Sequence, residues 1–366
     1  MSSERDLKVK VESTLLTPRD IKEWQASENS HKSVRRLSLV RGVDSYEWHA
    51  DQVLAITRHL SADRGGILES LEIAEFIPDT GSTGEDPPPI GEVLRPVAHS
   101  LTSIWLDVPN EIGSGILLGV LYTLPRLREF TIYAPAIRKS QYQGEITKGC
   151  PSMTGKLGLF HLDMGGDHFV RQLLRHQPLE YHTMGLSHNK LIDSYNSLIS
   201  TCGKTLRSLA IRDVGKYIQI ATKGGTLNRE PCIEERHFKQ VHDHISVADC
   251  PELSELVFDA GRISESKTTR MIAAVLSTVS SVSFGRLRIS YQIVLDSDTV
   301  TAEVDSPEWD AVDEELVRIA GESDCQIEVI FNSLSPGGGA PVQAPRFLSR
   351  FQEEGTVKFT SELGLP

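Results

Sequence analysis

The chain has few cysteines, no CxxC pair, no long apolar run and no excess of positive charge. Each shortage closes off a class of function. Cys150, Cys202, Cys232, Cys250 and Cys325 are its five cysteines, widely spread over 366 residues. An odd and scattered set does not make a disulfide framework, and the missing CxxC removes zinc-ribbon and thioredoxin-like readings. A reducing, intracellular compartment is therefore expected, cytoplasmic or nuclear. The most apolar stretch, "GILLGVLYTL" at 115–124, falls far short of the ~20 residues that cross a bilayer. The opening "MSSERDLKVKVESTLL" places charges where a signal peptide needs its apolar core, so neither secretion nor membrane insertion is expected. Lys and Arg total 38 against 50 Asp and Glu, a formal charge of −12. That balance argues against a nucleic-acid partner. The phosphate-binding G-x-x-x-x-G-K-[ST] is absent, as is the G-x-S-x-G elbow of hydrolases.

What the chain does have is a short run that recurs, apolar at its positions 1, 4 and 6. "VRRLSL" supplies Val34, Leu37 and Leu39, "LESLEI" supplies Leu68, Leu71 and Ile73, and "LTSIWL" supplies Leu101, Ile104 and Leu106. "LREFTI" follows with Leu127, Phe130 and Ile132, then "LGLFHL" with Leu157, Phe160 and Leu162. "LEYHTM" is a weaker copy, with His182 between Leu179 and Met184. "LRSLAI" (Leu206, Leu209, Ile211), "LSELVF" (Leu253, Leu256, Phe258) and "VSSVSF" (Val279, Val282, Phe284) complete the series. The starts lie 34, 33, 26, 30, 22, 27, 47 and 26 residues apart. Most are at or slightly above the ~20–29 residues of leucine-rich repeats, and the longest marks an insertion.

Between the runs the apolar residues follow helical spacing, as in "ADQVLAITRHL" and "NKLIDSYNSLISTC". Corners such as "TLPRL", "HQPL" and "DCPEL" close the helices, because proline cannot donate the next backbone bond. Each unit reads as helix, corner, short strand. Units of this kind bury their apolar faces by stacking. The expected fold is α/β: a leucine-rich-repeat solenoid with a curved parallel sheet and helices on its convex side. The competing reading is a compact α/β enzyme, a hydrolase or transferase. Its central strands should be apolar on both faces, whereas these runs keep polar residues such as Ser38, Glu72, Thr131, Ser208 and Glu255 at alternate positions.

With its helix, "P-x-L" and "L-x-x-L-x-L" units of variable length, the chain resembles the leucine-rich-repeat part of fungal F-box-like proteins over roughly residues 33–360. The resemblance implies a non-enzymatic substrate receptor that binds other proteins. Relatives of that kind carry an F-box ahead of the repeats, which docks a ubiquitin-ligase adaptor. Residues 1–32 contain no "L-P-x-E-[IL]" opening, so no F-box is evident and adaptor binding is not expected of them. A truncated family member without a retained partner is the third reading. The expected organisation is an N-terminal extension at 1–32, irregular repeats at 33–294, and an acidic segment with a closing region at 295–366. That last part includes "WDAVDEELVRIAG" as a helix and "CQIEVIFNS" as a strand.

No catalytic, metal or cofactor site is expected. His237, His242, His244 and Cys250 suggest a metal set, but residues 242 and 244 of a helix point about 200° apart. "HLDMGGDH" at 161–168 looks like a metallohydrolase fragment and is explained more simply by a strand passing into a turn. Cys202 and Cys250 each precede a run and are expected in the core. The stretches 81–91, 215–235 and 335–345 read as loops, an insertion and a linker. Residues 295–315 hold nine Asp or Glu and no Lys or Arg, and read as a solvated approach to an acidic helix start. Binding is expected on the sheet face opposite the helices, where positions 3, 5 and 7 of each run point. This assigns Trp105, Asp107, Tyr133, His161, Asp163 and Tyr181 as the candidate protein-binding surface.

Overall fold

The computed structural model describes residues 13–17, 26, 34–40, 48–62, 67–77, 90–109, 111–140, 153–160, 162, 165–176, 179–187, 191–214, 244–262, 266–280, 284–293, 308–333, 348, 350–351 and 356–361. The fold is α/β with extensive parallel sheet. The chain divides into two compact units, Met1–Pro178 and Leu179–Pro366.

In the first unit six strands pair in parallel in chain order: β1 Ser13–Leu16, β2 Arg36–Leu39, β4 Ser70–Ile73, β6 Ser103–Asp107, β8 Glu129–Tyr133 and β10 Met153–Phe160. Two short parallel pairs flank them, β3 Trp48–His49 with β5 Phe76–Ile77, and β7 Glu111–Gly113 with β9 Ala136–Arg138. The connections contain the helices α1 Ala50–Ala62, α2 Ile90–Leu94, α3 Ser114–Thr123 and α4 Gly166–His176. Consecutive helices pack side by side, as the strands do. In the second unit β11 Leu179–Ser187, β12 Ser208–Val214, β13 Glu255–Arg262, β14 Arg286–Ile293, β15 Gln326–Ser333 and β16 Thr356–Ser361 follow the same rule. Its helices are α5 Ile192–Cys202, α6 Ser266–Ser277 and α7 Glu308–Glu322. No helix among the described residues is long and apolar enough to cross a membrane.

Alternation along each strand decides which side is core. Leu37, Leu39, Leu71, Ile73, Ile104, Leu106, Phe130 and Ile132 are buried, while Ser38, Glu72, Trp105 and Thr131 between them keep partial exposure. Since successive side chains point to opposite faces, positions 4 and 6 face the helices and positions 3, 5 and 7 face away.

A recurring hydrogen bond fixes the register of the repeat. The carbonyl at position 2 of one run accepts the N–H groups of positions 2 and 3 of the next. Glu69 and Ser70 donate to Arg35 O at 2.8 and 3.0 Å, and Thr102 and Ser103 to Glu69 O at the same two distances. Arg128 and Glu129 donate to Thr102 O at 2.7 and 3.0 Å, and Ser254 and Glu255 to Arg207 O at 2.8 and 2.9 Å. Gly285 and Arg286 donate to Ser254 O at 3.0 and 2.9 Å. Each of these position-2 carbonyls thus has a partner as the chain enters its strand.

This bond moves three of the expected runs. Lys156 N donates to Arg128 O at 2.8 Å, and Leu157 and Leu159 pair with Phe130 and Ile132, so the fifth run is "TGKLGL" and not "LGLFHL". Arg207 N donates to His182 O at 2.9 Å, and Met184 and Leu186 pair with Leu209 and Ile211, so the sixth is "YHTMGL" and not "LEYHTM". The ninth is "FGRLRI": Leu287 and Ile289 pair with Leu256 and Phe258, while Val279 follows the end of α6. In the corrected register the starts at 127, 154, 181 and 206 are nearly even.

Gly155 shows why glycine is needed at one of these joints. It has φ +140, and a Cβ there would lie 2.2 Å from Arg128 O, the carbonyl that receives the register-setting bond. A side chain cannot occupy that space or adopt that φ without strain.

The second unit ties its connections with side chains. Asn196 of α5 donates from Nδ2 to His244 O at 3.1 Å and accepts from Ser246 N at 2.8 Å through Oδ1. Arg318 of α7 donates to Leu276 O at 2.9 Å and Val279 O at 3.3 Å, satisfying carbonyls at the end of α6. Asp313 lies within the acidic stretch yet is buried, and it accepts from the N–H groups of Phe351 and Arg350 at 2.9 and 3.2 Å. That carboxylate is structural. Residues 295–307 of the same stretch lie outside the described residues, as do the expected insertion at 215–235 and linker at 335–345.

Candidate functional site

Three aromatic rings run diagonally across the first unit's sheet on the face away from the helices. Trp105 occupies position 5 of its run, and Tyr133 and Phe160 occupy position 7 of theirs. The Trp105 and Tyr133 centroids are 5.4 Å apart with the planes tilted by 56°. Tyr133 stacks on Phe160 at 4.8 Å and 29°. Both are favoured ring geometries. Trp105 and Tyr133 are partly exposed, whereas Phe160 is 4% exposed and forms the closed end of the ladder. Gly158 makes room for that ring. A Cβ there would come within 2.9 Å of Phe160 Cε2 and 2.8 Å of Thr131 Oγ1.

Carboxylates border the open end. Glu72 pairs in register with Trp105 and accepts a 2.9 Å hydrogen bond from Ser38 Oγ. Asp107 lies two residues beyond Trp105 on the same face and pairs in register with Tyr133. Glu129 accepts from Ser103 Oγ at 3.2 Å in the adjoining row of position-3 residues. Among the described residues at positions 5 and 7 of this unit there is no Lys or Arg; Arg36 and Lys156 sit in the position-3 row, on β2 and β10.

The corresponding face of the second unit differs. Its rows carry charge pairs across neighbouring strands, Arg286 with Glu255 at 3.3 Å and Arg288 with Glu328 at 3.7 Å. Ser208 Oγ also donates to Glu255, at 2.8 Å. Partly exposed pairs of this kind compensate one another and add little stability. Among the described residues, the large aromatics on the outward face belong to the first unit.

Of the six residues expected on the binding face, Trp105, Asp107 and Tyr133 lie together there. His161 and Asp163 lie outside the described residues. Tyr181 is a correction: it is fully buried, because it fills position 1 of its run and not position 3. Burial pushes its phenol well above the ordinary value, and the nearby Cys202 adds to the effect. His182, expected at a core position, is exposed, with Nδ1 3.0 Å from Thr205 O. Phe160 was expected in the core behind the sheet and instead completes the ladder. The clue was present in "TGKLGLF": with glycine at position 2, Phe160 falls level with Tyr133.

Other polar groups suggestive of chemistry have structural roles. Ser114 Oγ lies 3.2 Å from His168 Nδ1, and Gln172 Nε2 lies 3.3 Å from His168 Nε2. A nucleophilic serine must reach its substrate, but Ser114 is fully buried. Its hydroxyl donates to Ser140 O at 2.9 Å and accepts from Ser140 N at 3.1 Å. Ser140 Oγ in turn accepts from Gly115 N at 2.9 Å, so the cluster pins the residues after β9 to the start of α3. Cys202 and Cys250 are buried, and burial pushes their thiols up to about 11 and about 12. They are protonated core residues. His237 and His242 lie outside the described residues, and the His244 carbonyl accepts from Asn196. Comparison with protein-family models gives no matching family, and comparison with curated proteins gives no match.

Proposed function

We propose that the chain is a non-enzymatic protein-interaction scaffold, built as a leucine-rich-repeat solenoid and similar to the substrate-receptor half of an F-box protein. The observation that carries this reading is the partly exposed Trp105–Tyr133 pair at the mouth of the ladder. Trp105 packs on Tyr133 and still leaves part of a large apolar side chain exposed on the face away from the helices. Tryptophan and tyrosine are the residues that most often anchor a protein partner. Regular position-2 hydrogen bonds and parallel pairing in chain order support the repeat architecture. The partner is an intracellular protein, held without metal or cofactor.

The test is affinity purification from the native source with the wild-type chain and the Trp105→Ala variant in parallel. A partner recovered with the first and lost with the second is the expected result. A partner retained equally by both would place binding elsewhere, and recovery of the adaptor would restore the ligase reading.

A further inference from the structure

The chemistry around the ladder says what kind of side chain it receives, an inference that rests on the protein-binding reading above. Strand neighbours in register are about 4.8 Å apart, and alternate residues of one strand about 6.8 Å. Glu72 therefore lies one strand from the Trp105 backbone position, and Asp107 lies one pleat along on the same face. Two carboxylate-bearing residues thus neighbour the Trp105 position on the sheet, and the Tyr133 ring is tilted against the indole. In the rows holding those carboxylates, no Lys or Arg of the described residues lies at positions 5 or 7.

An aromatic face attracts a cation through its ring quadrupole, and a nearby carboxylate adds to the attraction. Guanidinium fits this arrangement better than ammonium. It is planar, so it can lie on the indole, and its forked donors reach a carboxylate while it stacks. We propose that the face formed by Trp105, Tyr133, Glu72 and Asp107, backed by buried Phe160, binds an arginine-bearing, extended segment of a partner protein, with the guanidinium on Trp105 between the two carboxylates. The chain's formal charge of −12 favours the approach of such a segment at long range. It does not by itself choose this face over any other. The aromatic ladder makes the choice: among the described residues the outward aromatics lie in the first unit, whereas in the second Arg286 and Arg288 sit against Glu255 and Glu328.

The experiment pans a displayed library of random twelve-residue peptides against the full chain, with counter-selection on Trp105→Ala. Enriched peptides are then measured on the wild type, on Trp105→Ala and on the double variant Glu72→Gln/Asp107→Asn, whose side chains keep their size. Thermal melts establish that each variant folds. The inference expects arginine in the enriched peptides, a loss of at least about tenfold with Trp105→Ala, and a loss of about threefold or more with the double variant. Replacing the arginine by lysine should weaken binding, and replacing it by glutamate should abolish it. Enriched peptides that require Trp105 but carry no cation would overturn the arginine assignment and leave the binding face standing. Arginine peptides that bind the double variant as well as the wild type would overturn it too. If no enrichment depends on Trp105, both the arginine assignment and the face fall together.

Discussion

Trp105 and Leu106 are adjacent in sequence and opposite in consequence. Leu106 is fully buried on the helix side of the sheet, and Trp105 faces the other way. Leu106→Ala leaves a cavity in the core and should cost about 2–5 kcal/mol of stability. Trp105→Ala should keep most of the fold and weaken partner binding by about tenfold or more. Thermal melts and binding isotherms on the two variants separate the effects; a Trp105→Ala protein as unstable as Leu106→Ala would show that the indole is core. Cys202 and Cys250 give a second residue-scale expectation. Each thiol is held at a folded value above its ordinary 9.0, at about 11 and about 12, mainly by burial. The folded state therefore holds these protons more tightly than the unfolded chain does. The associated stability is fully present below pH 9 and is lost as pH rises towards 12. Buried Tyr181 and Tyr291 are shifted in the same direction. Melting temperature should hold from pH 7 to about 9 and then fall. A Cys202→Ala/Cys250→Ala variant should show a shallower alkaline decline, and an unchanged slope would assign that decline to other groups.

At the scale of the element, the strand is set by its partner as much as by its own sequence. Gly155 tests this. Gly155→Ala would place a Cβ against Arg128 O and force an L-residue into φ +140. Strain at such a backbone position costs on the order of 1–3 kcal/mol, and the contact with a carbonyl has no flexible side chain to yield. The variant should melt at a lower temperature, whereas Gly321→Ala, where an added Cβ meets nothing within 4 Å, should not. Equal melts would show that β8 and β10 do not meet as closely as described. The same joint explains what could be read from sequence. Runs such as "LESLEI", "LTSIWL" and "LSELVF" have apolar residues at all three marked positions and polar ones between, so one register satisfies them and the structure adopts it. In "TGKLGLFHL" apolar residues at 157, 159, 160 and 162 allow two registers. The choice depends on Gly155 fitting beneath Arg128 O, a fact about the neighbouring strand that no local pattern contains. "LEYHTMGLS" slipped because tyrosine can serve as core or as surface, and leucine at 179 looked the better start. The slipped registers place Tyr181 on the binding face and Phe160 in the core, so two of the three rings of the aromatic ladder were legible and its closed end was not. "VSSVSF" slipped for a related reason: Val279 continues the packing of α6, and Phe284 is the true start.

At the scale of the whole molecule, a linear array of repeats and a compact α/β domain distribute damage differently. In the first, each unit touches its neighbours alone, and stability is nearly a sum of unit and interface contributions. In the second, one core couples every strand, and a defect is felt throughout. Parallel pairing in strict chain order fits the array, since a compact doubly wound sheet reverses its strand order at some point. Gly155→Ala provides the local defect, placed at the joint between β8 and β10. Backbone amides report the result through hydrogen exchange, because each exchanges at a rate set by the free energy of the opening that exposes it. If the chain is an array, protection should fall most in β10 and β8, less in β6, and least in β4 and β2, in the order in which they pair. The melting curve should broaden as well, since the units no longer open together. A single cooperative core would instead lower protection in all of these strands by the same free energy, and its melt would shift without broadening. That outcome would remove the solenoid from the proposal. The aromatic ladder would still stand, now as a patch on an ordinary α/β domain.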